Sequence, residues 1–533
     1  MANYTTPHYV TLLKHIRSTT VFSDTSSQDP KVIKGVALEM CTNDAIPLHP
    51  DTYELISNYF QYIEDKDRML VYNATTNLWG THRGQALLEN FLQDYFTVVS
   101  EEASNRNDFI HKEYAKYFFS GKRIHYLAER IKNSMLLHIG KSYDLVTKTE
   151  NLRYFNLTEP ASCGGKYRAL LDISKPTFNL EQTTWKDTMP LHLTHLLPSP
   201  IASDDTDIPT LWLSLIEEYM LHDPERIEYF HKILAYLMSP YNYNQALIYF
   251  VGEGRNGKST ILKVLQDLLG PHAVRINSDM LNAKPSPNFK KDDALASMEG
   301  KSLFIFNEID ERMTASTQNI KDITEGGRDE FGNKIMTVVR PAYSPSYEVN
   351  ICGIPLVVAN NLIRFGDWAN LAPVFRRLVV VPFDFTIQHE DPTILTRLAQ
   401  EYPKIQLWLY MNYFKHKGIR IKEEPRPATY TQLMQDYRKD SDILQMFVED
   451  CIEETTDVND YIQCGDLYRM YTKYCRVNGR TAIGNKGSNS FASLITSHLK
   501  DPKVYKTNGA KVFRYIKQSH YYVNEVNNAP TFA

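Results

Sequence analysis

The sequence predicts a multidomain α/β protein, and three observations predict it. Its 533 residues exceed what one hydrophobic core organises, so the length implies roughly three or four domains. Its middle alternates short, continuous apolar runs with stretches of helical spacing, the pattern of buried parallel strands joined by helices. Its C-terminal end carries two helical stretches, a hairpin signal and a basic run. With 43% hydrophobic and 23% charged residues the composition is globular. No run reaches the roughly 18 apolar residues of a membrane span, and the polar N-terminus lacks a signal-peptide core, so a cytoplasmic, non-secreted protein with no membrane partner is expected. Six cysteines (41, 163, 352, 451, 464 and 475) form no Cys-x-x-Cys pair and have no His partner at zinc spacing, which argues against a zinc site.

In chain order, residues 1–110 read as a mixed α/β region of unknown role. Arg68 to Trp79 looks like a strand entering a turn at Asn73 to Asn77. Residues 111–204 read as a helical and irregular connector. From His111 to Ile139, Tyr117, Ile124, Leu127 and Ile131 recur at helical spacing, and the Pro- and Thr-rich stretch 158–207 is a strand-poor connector or a small mixed subdomain. Residues 205–242 hold two helical periods, a collar, with Asp223 placed to cap the second helix and Pro224 at its first position.

Residues 243–392 carry the chemistry. The apolar run from Ala246 to Val251 breaks into a loop of Gly252, Glu253, Gly254, Arg255, Asn256, Gly257, Lys258, Ser259 and Thr260, after which Ile261, Leu262, Val264, Leu265, Leu268 and Leu269 follow helical spacing to Gly270. Strand, glycine loop and helix in that order cradle phosphate. The glycines turn backbone N–H groups inward, the helix N-terminus adds positive potential, Lys258 reaches the terminal phosphates and the Ser259 hydroxyl can ligate Mg²⁺. The apolar run from Ser302 ends in acids. A carboxylate at such a strand end handles Mg²⁺ and the attacking water, Glu308 being the first choice and Asp310 the second. A further strand, Ile354 to Ala359, ends in Asn360, whose amide can bond both a γ-phosphate and a water. Arg376 and Arg377 precede a strand at 379–383, where one of them can reach a neighbouring subunit's phosphate.

Beyond the core, 393–440 reads as a helical linker with a boundary at 426–430, 441–518 as a winged-helix-like module, and 519–533 as a tail. Residues 441–465 hold seven acids and no Lys or Arg, whereas 466–518 hold eleven Lys or Arg against two acids. The second stretch therefore has the charge of a nucleic-acid face or of a solvated basic surface. Arg480 and Lys486 would approach its second helix, and Lys503, Lys506, Lys511 and Arg514 would decorate the hairpin across Asn508-Gly509.

The motif set, Gly252 to Ser259, Asn307-Glu308, Lys321 to Asp329, Asn360, and Arg376-Arg377 followed by Pro382-Phe383, resembles superfamily 3 helicases, most of all the phage, plasmid and poxvirus primase-helicase branch, over residues 205–390. The resemblance implies an AAA+-like ring, a homohexamer that hydrolyses ATP between subunits, translocates on single-stranded DNA and unwinds forked DNA at a host-cytoplasmic or viral replication site. By position it implies Lys258 and Ser259 for nucleotide and Mg²⁺, Glu308 as the acid, Asn360 as the sensor, and Arg376 or Arg377 as the arginine finger. It implies a pore hairpin with Lys334, Arg340 and Tyr343 near DNA. The chain departs from the family at Thr324 to Asp329, where an extra Glu325 and Arg328 flank the glycine pair, and at Ile363, where the family has proline. With about 200 residues before the collar, the chain reads as a helicase without an evident primase, acting beside a separate primase or polymerase. Two alternatives stand beside that reading: a bifunctional primase-helicase with a divergent N-terminal primase, and a nucleotide-gated origin-binding loader that does not unwind.

Overall fold

The structure, a computed structural model, describes residues 29–42, 53, 56–57, 59–63, 68–73, 78–80, 84–138, 151–157, 168–183, 191, 193–202 and 208–527, save 308, 311–312, 329–334, 343–345, 366–370, 442, 458, 479–481, 483–488, 497, 500–502 and 508–509. The chain divides into two compact units, residues 1–205 with 343–348, and residues 206–342 with 349–533.

In the first unit, helices Pro30–Thr42, Gly84–Asn105, Phe109–Tyr117 and Gly121–His138 share one core with the antiparallel strands Phe60–Ile63 and Arg68–Asn73. Leu88, Leu92, Phe96, Tyr114, Ile124 and Ile131 lie at its centre. The boundary expected at 110/111 therefore falls inside a helix, and residues on both sides of it fill one core. The single helix expected from His111 to Ile139 is two. The chain breaks at 118–120, where Phe118 turns inward to stack on Phe96 at 4.3 Å, and Asp108 caps the helix before the break by accepting the His111 N–H at 3.0 Å. Leu152–Asn156, Arg168–Asp172 and Leu180–Thr183 form a second antiparallel sheet, two of whose strands lie in the stretch expected as a strand-poor connector or a small mixed subdomain.

The second unit is built on a five-stranded parallel sheet in the spatial order Leu378–Pro382, Leu247–Val251, Ile354–Ala359, Leu303–Phe306, Ala273–Arg275. Numbered along the chain, that order is 5-1-4-3-2. Every residue of the first four strands in that row is buried, which explains why they read as continuous apolar runs and not as alternating ones. The pairings Val251↔Ala359, Val251↔Pro382 and Val357↔Phe306 set the carboxyl ends of the phosphate-loop, amide, arginine and acid strands side by side. Crevices at carboxyl strand ends are where open α/β sheets bind ligands.

Collar helices Thr210–Tyr219 and Pro224–Leu237 precede the sheet, and Asp223 caps the second by accepting from Glu225 and Arg226 N–H. The region expected as a linker is part of this unit. Helix Ile394–Lys415 packs on both collar helices and on the phosphate-loop helix Lys258–Leu269, burying Leu398, Ile405, Leu409 and Tyr410. Helix Ala428–Ser441 buries Tyr430 beside Tyr229. An apolar stripe that wide needs a partner surface, which a linker does not have.

The C-terminal part has helices Ile443–Cys451, Cys464–Val477 and Asn489–Thr496, and a sheet in the order Tyr461–Gln463, Ala510–Arg514, Lys503–Thr507. The hairpin pairs Thr507 with Ala510, a two-residue connection. The expected tail from 519 is instead folded through 527. Tyr522 and Val526 are buried, the Ser519 hydroxyl donates to the Asp450 carbonyl, and Lys473 Nζ donates to Asn527.

Candidate nucleotide-binding site

A cleft of about 1100 Å³ opens at the carboxyl ends of the parallel strands. Its walls join four parts of the sequence: Gly254 to Thr260, the strand end at Asn307, Ile309 and Asp310, the strand end at Ala359 to Ile363, and the collar helix from Leu211 to Tyr219. A fifth wall, Ile387 to Arg397, closes the side toward the helix Ile394–Lys415.

The loop's backbone dictates its residues. Gly254 (φ 95°) and Gly257 (φ 85°) occupy the left-handed region, as does Arg255 (φ 47°). A Cβ on Gly252 would meet Asn256 Nδ2 at 2.3 Å and the Phe383 carbonyl at 2.5 Å, and one on Gly257 would meet the Tyr219 ring at 2.3 Å. The loop is pinned from outside by Asn256 Nδ2 donating to the Phe383 carbonyl at 3.0 Å and by the Ile387 N–H donating to the Arg255 carbonyl at 2.7 Å. At the rim, Arg255 Nε lies 3.1 Å from Glu390 Oε1, an exposed pair that closes the loop over the cleft edge. Glu253 is exposed.

Lys258 is 4% exposed and donates to the Gly252 carbonyl at 2.5 Å and to Asn256 Oδ1 at 2.8 Å. Burial pushes its ammonium down to about 8, a cost that an anionic ligand would relieve. Ser259 is exposed in the first turn of the helix, and its hydroxyl lines the cleft. Its position fits an oxygen-seeking divalent cation, as does that of Asp310 at the acid strand's end. Asn360 is exposed at the amide strand's end and also lines the cleft. The next residue is anchored, since Tyr249 of the phosphate-loop strand donates its hydroxyl to the Asn361 carbonyl at 2.7 Å.

Other expected residues stand elsewhere. Glu308 lies outside the described residues, between Asn307 and Ile309, which both line the cleft. Arg376 and Arg377 do not line it. Arg376 is exposed, whereas Arg377 is half-buried, donates to the Pro373 carbonyl at 2.9 Å and has its guanidinium held below the usual arginine range by burial. Arg340 is exposed, with its backbone N–H donating to Asp292 Oδ2 at 3.0 Å. Lys334, Tyr343, Arg480 and Lys486 lie outside the described residues. Lys506 and Lys511 face each other in register on the hairpin strands, and Arg514 is half-buried on the second of them. The glycine pair in the departing loop has a packing reason. Gly326 (φ 86°) and Gly327 (φ 67°) lie where a Cβ would press on the Asn242 carbonyl at 2.4 Å and on Cys352 at 2.7 Å.

Sequence reading missed the cleft's collar wall and the segment from Ile387 to Arg397. No motif marks them; Tyr219 ends an ordinary amphipathic helix.

Residues 439–529, the C-terminal helices and sheet, match the poxvirus D5 protein-like family. A putative helicase of Acanthamoeba polyphaga mimivirus is 24% identical over 281 residues, 48% of this chain and 27% of that protein. A putative helicase of Frog virus 3 is 22% identical over 254 residues, 44% of this chain and 25% of that protein. The chain thus spans about a quarter of the length of these relatives. Among solved structures, the apo C-terminal region of NrS-1 covers 69% of this chain and 97% of its own at 11% identity and a TM-score of 0.34, a superposition too loose to add to the argument. Among the described residues no helix is long and apolar enough to cross a membrane. The family match and the two viral relatives show that this chain is similar to poxvirus D5-like proteins and to viral proteins named as putative helicases.

Proposed function

We propose that the chain is an ATP-dependent replicative DNA helicase of a virus, phage or mobile element, working as a homohexameric ring on single-stranded and forked DNA. The observation that carries the reading is the convergence of Lys258, Ser259, Asn307, Asp310 and Asn360, from three parallel strand ends, on one cleft. In this reading the Gly254 to Gly257 turn aims backbone N–H groups at the phosphates, and Lys258 leaves its contacts with Gly252 and Asn256 to meet the terminal ones. Mg²⁺, held by Ser259 with Glu308 or Asp310, would neutralise charge on the transferred phosphate. Glu308 orients the attacking water, and Asn360 bonds that water or the γ-phosphate. Arg376 is the arginine finger, since it is exposed and outside its own cleft, whereas Arg377 is occupied in its own turn. The winged module of 441–518 and the hairpin residue Arg340 would hold DNA through phosphate contacts.

The test is strand displacement on a forked duplex with ATP and Mg²⁺. The wild type should unwind it, and Lys258→Ala should lower both unwinding and ATP hydrolysis roughly a hundredfold or more, as loss of a charge-stabilising group does. ATP hydrolysis without strand displacement would favour the loader instead.

A further inference from the structure

We propose that Tyr219 is a positioning residue for the phosphate loop, tying the collar helix to the turn that carries Lys258 and Ser259. The inference rests on the nucleotide reading above and names what regulates that same site. Tyr219 is the last residue of helix Thr210–Tyr219, is 4% exposed and lines the cleft. Its ring lies flat against the Cα of Gly257, where a Cβ would come within 2.3 to 2.6 Å of three ring atoms. Thr260, at the far end of the same turn, lines the cleft with it. The ring therefore abuts the first residue of the Gly257–Thr260 turn, whose next two residues are the lysine and serine that meet the nucleotide.

The ring is itself held. Phe385, just past the arginine strand, lies 5.9 Å from it, and the other end of the collar helix is bound by Glu401, whose carboxylate accepts the Leu211 and Trp212 N–H groups at 3.2 and 3.1 Å. A phenol with two side-chain torsions and a fixed helix behind it gives the loop a rigid stop. Gly257 is needed here twice over, for its positive φ and for the ring's approach. Movement of the collar helix would shift Lys258 and Ser259 with it, and closure of the loop on phosphate would pull on the collar.

The experiment titrates ATP with Mg²⁺ against the full chain by calorimetry, alongside melting without nucleotide and steady-state hydrolysis. Tyr219→Phe keeps the ring and should fold and bind ATP as the wild type does, within twofold. Tyr219→Leu, which removes the ring's stop, should bind ATP roughly tenfold more weakly and lower kcat as well as raise KM. The inference is overturned if Tyr219→Leu binds ATP within twofold of the wild type, or if Tyr219→Phe loses as much as Tyr219→Leu. Wild-type protein that does not bind ATP would instead overturn the nucleotide reading, and this inference with it.

Discussion

Gly257 shows how tightly single residues are constrained here. It sits at φ 85° with the Tyr219 ring where a side chain would begin. Gly257→Ala combines about 1–2 kcal/mol of left-handed strain with about 1–3 kcal/mol of overpacking, and urea denaturation should register a loss of roughly 2–5 kcal/mol together with lost ATP binding. Gly254 has an unusual φ of 95° but nothing within 4 Å of its missing Cβ, so Gly254→Ala should cost only the backbone strain. The two arginines separate by the same kind of reading. Arg376→Ala should leave ATP binding intact and cut hydrolysis by roughly a thousandfold, the scale of an arginine finger, whereas Arg377→Ala should disturb the turn it bonds and lower the melting temperature. Sequence could place an arginine pair before a strand but could not choose between them, because the choice lies in exposure and in the bond to the Pro373 carbonyl.

At the scale of elements, the strands and the phosphate-loop helix were legible because both signals are local. Strands buried on both faces leave unbroken apolar runs, and the glycine loop fixes where Leu247–Val251 ends and Lys258–Leu269 begins. What was not legible depends on contacts between distant segments. The first collar helix starts at Thr210 after Pro209, which offers no side-chain cap, and its free N–H groups are met by Glu401 from a helix some 190 residues later. Glu401→Ala should therefore destabilise the second unit by about 1 kcal/mol, seen as a lower urea midpoint at unchanged slope. Arg226 joins the second collar helix to two later segments. Its guanidinium donates to Asp384 Oδ2 at 2.8 Å and Thr429 Oγ1 at 3.0 Å and lies over the Tyr430 ring. These contacts turn residues 393–440, which spacing alone made a linker, into a part of the second unit.

At the scale of the molecule, the shared cleft was foreshadowed by the strand-end motifs, and the C-terminal module by its hairpin and charge, whereas the strand order 5-1-4-3-2 depends on pairings between distant segments that no local motif records. The family match covers that module, residues 439–529, and ends near the last described residue. The first unit carried no motif, and its core of helices and a sheet gives the ATPase reading no chemistry to build on. The proposed ring supplies the link between scales, since Arg376 completes a site only if a second copy presents its Lys258 cleft. The most direct measurement is steady-state ATP hydrolysis, with and without single-stranded DNA, by wild type, by Lys258→Ala, by Arg376→Ala and by an equimolar mixture of the two variants. The account predicts DNA-stimulated hydrolysis by the wild type, almost none by either variant alone, and partial recovery in the mixture, where some interfaces pair an intact loop with an intact arginine. Hydrolysis by Lys258→Ala at the wild-type rate would contradict it.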